Sequence, residues 1–344
     1  MLSSKDFTVS SDKLVIERLT ALWALNECGL GGFMHAVSSP FTGIFVGGIA
    51  ILLITLIAMH SKNVWASLVR ALSIVLLVKL SVSPHSPITS YVAVSFQAFL
   101  GMVLFSLLKV NRISILLLGI VTFLESALQK LLMLTILYGE SLWEAIDIYG
   151  GWIGQKIPAL ESVFSSKSLI WTYVGLYGVA GMVAGILIFR IIKLTHSIEL
   201  ETNGTYSMTA STEGSIKRTF MPSKKVLFFW GMALILILLP IVFFNSEFDG
   251  WRAGIYIVAR SALILILWYT VIGPLLLRGL NLLLARKESA YREEIQNTLV
   301  LFPYLRTILK HAWKDSSSKK GMMRVQHFLA RSIVYSVNFS PVSQ

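Results

Sequence analysis

Long apolar runs separated by short polar connectors dominate this chain. Runs at about 14–36, 42–60, 64–83, 89–109, 113–138, 168–190, 226–244 and 253–277 approach or exceed the roughly 20 apolar residues a helix needs to cross the hydrocarbon layer. The first is the most interrupted, by Asn26, Glu27 and His35. Barrel strands would be short and alternating rather than continuously apolar. The pattern therefore predicts an all-α, polytopic membrane protein with about eight transmembrane helices.

The charges between the runs add an orientation. Ser61–Asn63 carries Lys62, Ser81–Ile88 carries no Lys or Arg, and Lys109–Arg112 is basic. Tyr138–Lys167 holds Glu140, Glu144, Asp147 and Glu161 against Lys156 and Lys167, and Arg190–Lys225 is basic again. Asn245–Arg252 is short and nearly neutral. Lys and Arg collect in cytoplasmic loops, so the expectation is an inner-membrane protein with both ends in the cytoplasm. The N-terminus shows no cleavable signal pattern, so the first helix is expected to stay in the mature protein.

A mean hydropathy of +0.71 with 14% charged residues excludes an ordinary soluble domain. The net charge of +12 fits positive-inside bias and attraction to anionic lipid, and no motif supports nucleic-acid binding. Cys28 is the lone cysteine, so neither a disulfide framework nor a cysteine metal cluster is expected. No phosphate-cradling loop, nucleophile elbow or His-Glu-x-x-His is present. The chain reads as a non-enzyme without a cofactor, and active transport would need a separate ATPase.

Four segments follow: a six-helix membrane block (1–193), a polar cytoplasmic linker (194–225), a two-helix hairpin (226–280) and a basic amphipathic tail (281–344). Trp143-Glu-Ala-Ile-Asp-Ile-Tyr-Gly-Gly-Trp-Ile suits an outer-face segment at the membrane interface, broken at Gly150-Gly151. Gly178, Gly181 and Gly185 in the sixth run allow close helix approach, within the block or to another subunit.

Polar groups inside apolar runs are candidates for function. His35 and His85 fall near the outer ends of their runs, Tyr91 and Gln97 lie in the fourth, and Glu125 and Gln129 share a face of the fifth. A pocket open to the outside and lined by His35, His85, Tyr91, Gln97, Glu125 and Gln129 is one reading. In the other, Glu125 pairs with Lys79 or Lys130 and holds helices together. Two histidines make a weak metal signal, and no metal site is assigned. Asn26 and Glu27 are expected to meet polar groups of other helices, Arg260 among them.

In the tail, Ile295, Leu299, Phe302, Leu305, Leu309 and Trp313 recur at helical spacing, with Arg292, Arg306, Lys310 and Lys314 interleaved. Pro303 should kink or split this helix. A second amphipathic segment, Met322–Val334, follows a polar break. Between Arg278 and Arg331 there are eleven Lys or Arg against four acids. The tail is suited to an anionic lipid surface or to a groove on a cytoplasmic protein.

Leu22-Trp-Ala-Leu-Asn-Glu-Cys-Gly-Leu-Gly-Gly-Phe-Met-His35, Pro40-Phe-Thr-Gly43 and Pro84-His-Ser-Pro87 resemble the S components of energy-coupling factor transporters, six-helix proteins that capture vitamins or metal ions from outside. The second block resembles the end of that system's T component, whose Ala-Arg-small motifs dock in the ATPase. The resemblance implies that Ala330, Arg331 and Ser332, together with Arg306 in Leu301-Phe-Pro-Tyr-Leu-Arg306, contact a cytoplasmic ABC-type ATPase. It implies a membrane subunit that binds a small solute, with another membrane subunit as a further partner. Two other classes stand beside it: a structural or assembly subunit of a membrane complex, and an intramembrane lipid enzyme using Glu125 and His85.

Overall fold

The structure is a computed structural model that describes residues 4–36, 42–83, 86–156, 164–202, 206–207, 251–288 and 290–340. It is helical almost throughout those residues. In order come α1 (Ser4–Leu25), a π-helical turn (Asn26–Leu30), α2 (Gly31–Ala36), α3 (Thr42–Met59), α4 (Val64–Val82), α5 (Ile88–Leu108), α6 (Arg112–Tyr138), α7 (Glu140–Lys156) and α8 (Ser166–Thr202). Then follow β1 (Tyr206–Ser207), α9 (Trp251–Leu267), a second π-turn (Trp268–Ile272), α10 (Gly273–Glu288), α11 (Arg292–Asp315), α12 (Gly321–Val337) and β2 (Phe339–Ser340).

Among the described residues, five helices are long and apolar enough to cross a membrane: α4, α5, α6, residues Ser166–Glu199 of α8, and Val258–Gly279 through α9 and α10. Gly43–Met59 in α3 is apolar but shorter. Their outward residues are apolar, with Leu107 76%, Val179 61% and Phe99 55% exposed, as a surface solvated by lipid requires. The run at 14–36 is helical but is not one of the five. The run at 226–244 lies outside the described residues, as does most of the linker. Residues 194–202, read as linker, continue α8, and Thr195 and Ile198 are buried.

Local chemistry sets the helix ends. The Asn63 side chain accepts the Ala66 N–H at 3.1 Å to start α4, and Asn111 Oδ1 accepts the N–H groups of Ile113 and Ser114 to start α6. Such caps satisfy donors that the first turn leaves unpaired.

The chain packs as two compact units. The first gathers Met1–Glu125, Tyr177–Gly214 and Leu284–Gln344. Within it α1 is the hub, packed against α3, α4, α11 and α12, and Trp23, Ala21 and Ala24 at its centre are fully buried. The tail belongs to this core. Ile295, Thr298, Leu305, Ile308 and Ala312 form the inner face of α11, which is rotated by about one residue from the face the periodicity suggests. Trp313 is 45% exposed. α11 runs unbroken through Pro303, whose exposed position leaves water free to reach the carbonyl that the missing N–H cannot pair. Asp315 closes the turn to α12, accepting the Tyr335 hydroxyl at 3.0 Å on its carboxylate and the Arg331 guanidinium on its backbone carbonyl. β1 and β2 pair in parallel, Tyr206 with Phe339 and Ser207 with Ser340.

Glycines bring α6 and α8 into backbone contact. A Cβ on Gly181 would fall 2.7 Å from the Gly119 carbonyl oxygen, and one on Gly185 would fall 2.9 Å from Leu116 Cα. These two glycines of the small-residue stripe therefore serve packing inside the chain.

The second unit, Ser126–Leu176 with Ser215–Leu283, holds α7, which runs unbroken through Gly150-Gly151. Phe164 explains Gly150: a Cβ there would lie 2.5 Å from the Phe164 carbonyl oxygen. Tyr149 and Trp152 stack at 5.8 Å and stay exposed. The Ser261 hydroxyl donates to the Leu137 carbonyl at 3.1 Å. Arg260 lies against Gly139, where φ is +70°. Asp147 caps the start of α8, accepting the Ser166 N–H at 2.6 Å and its hydroxyl at 2.8 Å. Those two donors hold the Asp147 carboxyl below its ordinary value.

Two outcomes test this packing. Gly181→Leu should lower the melting temperature in detergent by the equivalent of about 1–3 kcal/mol of overpacking, whereas Gly175→Ala, with nothing within 4 Å among the described residues, should not lower it. Because the Asp147 carboxyl is depressed on folding, its contribution is complete above the unfolded value of about 3.9 and is lost as pH falls through the lower folded value. Asp147→Asn should therefore flatten that acid limb in a pH series of melting temperatures.

Candidate functional site

Where α1 gives way to the π-turn, two consecutive polar residues point inward. Asn26 and Glu27 are both buried, an arrangement favoured by the wider π-turn, and π-turns recur at functional sites. The Asn26 amide donates to the Val46 carbonyl at 3.1 Å. Lys79 Nζ, from α4, donates to Glu27 Oε2 at 2.8 Å. The side chains of Glu27 and Lys79 are only 3% and 2% exposed.

Tyr91 of α5 covers this pair, its ring centroid 5.4 Å from Lys79 Nζ. Its hydroxyl donates to the Ser83 carbonyl at 3.4 Å. Gly47 of α3 marks the convergence of α3, α5 and α6: a Cβ there would lie 3.3 Å from Gln97 Nε2 and 3.8 Å from the Phe123 ring. Gln97 Oε1 and Asn26 Oδ1 are buried with no hydrogen-bond partner among the described residues.

Among the residues suggested by sequence, Tyr91 joins the charged centre and Gln97 packs at Gly47. Glu125 and Gln129 lie half-buried one turn apart on α6, and Glu125 Oε2 has no hydrogen-bond partner among the described residues. Lys79 is held by Glu27, not by Glu125, and the partner of Glu27 is Lys79, not Arg260. His35 is on α2 with its side chain outside the described residues, and His85 lies outside them altogether. Among the described residues no three His, Cys, Asp or Glu gather as metal ligands. In the tail, Ala330 and Ser332 are buried, Arg331 is half-buried against the α11–α12 turn, and Arg306 is exposed.

A second polar feature joins α1, the α3–α4 turn, α4 and α11 around a cleft of about 470 Å³. Arg70 is its pivot, 2.5 Å from Glu294 Oε1 of α11 and 4.0 Å from Glu17 Oε1 of α1. His60 Nδ1 lies 3.7 Å from Asp12. Arg18, 8% exposed, donates to the Phe339 carbonyl at 3.4 Å while its Nε stays unpartnered. The signal for this cleft was available in the sequence: Glu17, Arg18 and Arg70 interrupt otherwise apolar stretches.

No family, curated protein or solved structure matches this chain.

The charged pair gives a direct test. Lys79→Met alone strands a carboxylate in the core and should cost about 3–5 kcal/mol, whereas Lys79→Met with Glu27→Leu should recover most of that loss. Thermal unfolding of the three purified proteins in one detergent reads the difference.

Proposed function

We propose that this chain is the solute-binding membrane subunit of an energy-coupling-factor-type ABC transporter. It would span the inner membrane about eight times with both ends in the cytoplasm. The observation carrying this reading is the Glu27–Lys79 contact of 2.8 Å, shut inside a bundle of apolar helices. Apolar residues would fill that space at equal or lower cost, and intramembrane charges mark solute and ion paths. A small polar solute entering from outside would meet Tyr91 over the pair and Gln97 further along α5, at Gly47. Arg306 and Arg331 would face the ATPase, which must bind the two conformations unequally to drive release.

One observation favours an assembly subunit instead. Leu305 and Ile308 of α11 and Ile333 and Val334 of α12 are buried in the chain's own core, so this face of the tail is not free to enter a partner's groove.

Purification from native membranes separates the two. The transport reading expects a co-purifying ATPase and a small molecule released on denaturation, with the small molecule absent from the Lys79→Met, Glu27→Leu protein. A stable membrane partner with no released solute would establish the assembly reading in its place. Orientation is read in a Cys28→Ser background, where an impermeant thiol reagent applied from outside should label a cysteine at Glu144 and spare one at Lys314.

A further inference from the structure

The cleft around Arg70 holds more cation than its carboxylates balance. Arg70 lies between Glu17 and Glu294, and His60 is beside Asp12. Lys13, Arg18 and Lys62 also line the cleft, and no carboxylate among the described residues lies within 4.0 Å of any of them. Lys13 and Lys62 are exposed, but Arg18 is not. It is buried, and although one of its terminal nitrogens donates to the Phe339 carbonyl, its Nε–H has no acceptor among the described residues. A buried guanidinium with an unused donor is costly unless an anion or further acceptor completes it.

Apolar side chains line the cleft as well. Leu14, Ile16, Ile74, Val300 and Leu301 bring aliphatic carbon to the same space. A volume of about 470 Å³ is within the usual range for small organic ligands and exceeds what a bare oxyanion would fill. Guanidinium and ammonium groups together favour phosphate, the first by its forked donors and the second as a point charge.

We infer that this cleft is a binding site for an amphiphilic phosphate ester, its phosphate held by Lys13, Arg18 and Lys62 and its carbon portion against Leu14, Ile74 and Leu301. The ligand is either a soluble phosphate ester or the headgroup of an anionic phospholipid. Bound there, it ties the α3–α4 turn to α1 beside the Arg70–Glu294 contact that anchors α11. This site is separate from the Glu27–Lys79 centre and stands whether or not the chain carries a solute.

The full chain, purified in an uncharged detergent, is titrated with glycerol 3-phosphate while melting temperature and ³¹P line width are followed. It is also placed in phosphatidylcholine nanodiscs with and without phosphatidylglycerol. Lys13→Glu with Lys62→Glu changes two exposed side chains and is compared with Lys167→Glu, an exposed lysine in the other unit. Ionic strength is matched with choline chloride. Stabilisation by glycerol 3-phosphate, weakened about tenfold in the double variant and unchanged in Lys167→Glu, supports a soluble ester. Stabilisation only by phosphatidylglycerol, lost in the double variant, supports the lipid headgroup. No response to either ligand, or an equal response in the double variant, overturns the site. The Glu27→Leu, Lys79→Met protein should bind glycerol 3-phosphate normally, so failure of the transport reading and failure of this one are told apart.

Discussion

A carboxylate and an ammonium sealed from solvent can coexist only if each finds the other, and the 2.8 Å contact of Glu27 with Lys79 fixes the rotation and depth of α1 against α4. The π-turn makes this geometry accessible by turning Asn26 and Glu27 inward together. Asn26 then ties the same turn to Val46 on α3. With three helices pinned at one level, the rest of α1 is committed to the middle of the first unit. A shift by one residue would leave both charges unpaired at a cost of several kcal/mol, so the pair specifies a unique register more than it adds stability.

That central position explains why hydropathy describes α1 poorly. A helix facing lipid must be apolar on its outer surface, but a helix sheathed by α3, α4, α11 and α12 need not be. α1 carries Asp12, Lys13, Glu17 and Arg18 because those side chains meet protein and the open cleft instead of hydrocarbon. α4 and α5 present apolar residues to the outside and so read clearly as membrane helices. Phe99 and Val92 on α5 are exposed, whereas Tyr91 and Gln97 on the same helix are buried.

The sequence was most legible where one physical rule acts alone. Continuous apolar runs yielded most of the described helices, and the runs opening at 64 and 89 begin within a residue of where α4 and α5 start. Glycine spacing in α8 announced a close crossing, although its counterpart, Gly119, lies some sixty positions earlier and has no local signature. Glu27 and Lys79 both stood out as charges in apolar surroundings. Their pairing did not, because partner choice depends on helix order in space and because the π-turn alters the register of α1. The tail was the largest difference. Its amphipathic period was visible, yet periodicity specifies an apolar face and not what covers it, and the chain's own first helix is what covers it.

This placement of the tail constrains any coupling between a partner bound to it and the buried centre. Pulling on α11 loads Arg70 through Glu294, and Arg70 belongs to α4, the helix that also carries Lys79. The two residues are nine positions apart, about 14 Å along the axis, so a rigid displacement of α4 reaches both. The α1 side offers the parallel path, since Glu17 faces Arg70 and Glu27 faces Lys79. A partner acting on the tail therefore has two packed helices through which to reach the charged pair, and needs no separate lever. Charge contacts at both ends of the same two helices make sliding them past one another costly at both levels at once. Motion that tilts α1 and α4 together preserves both contacts and is the less costly mode.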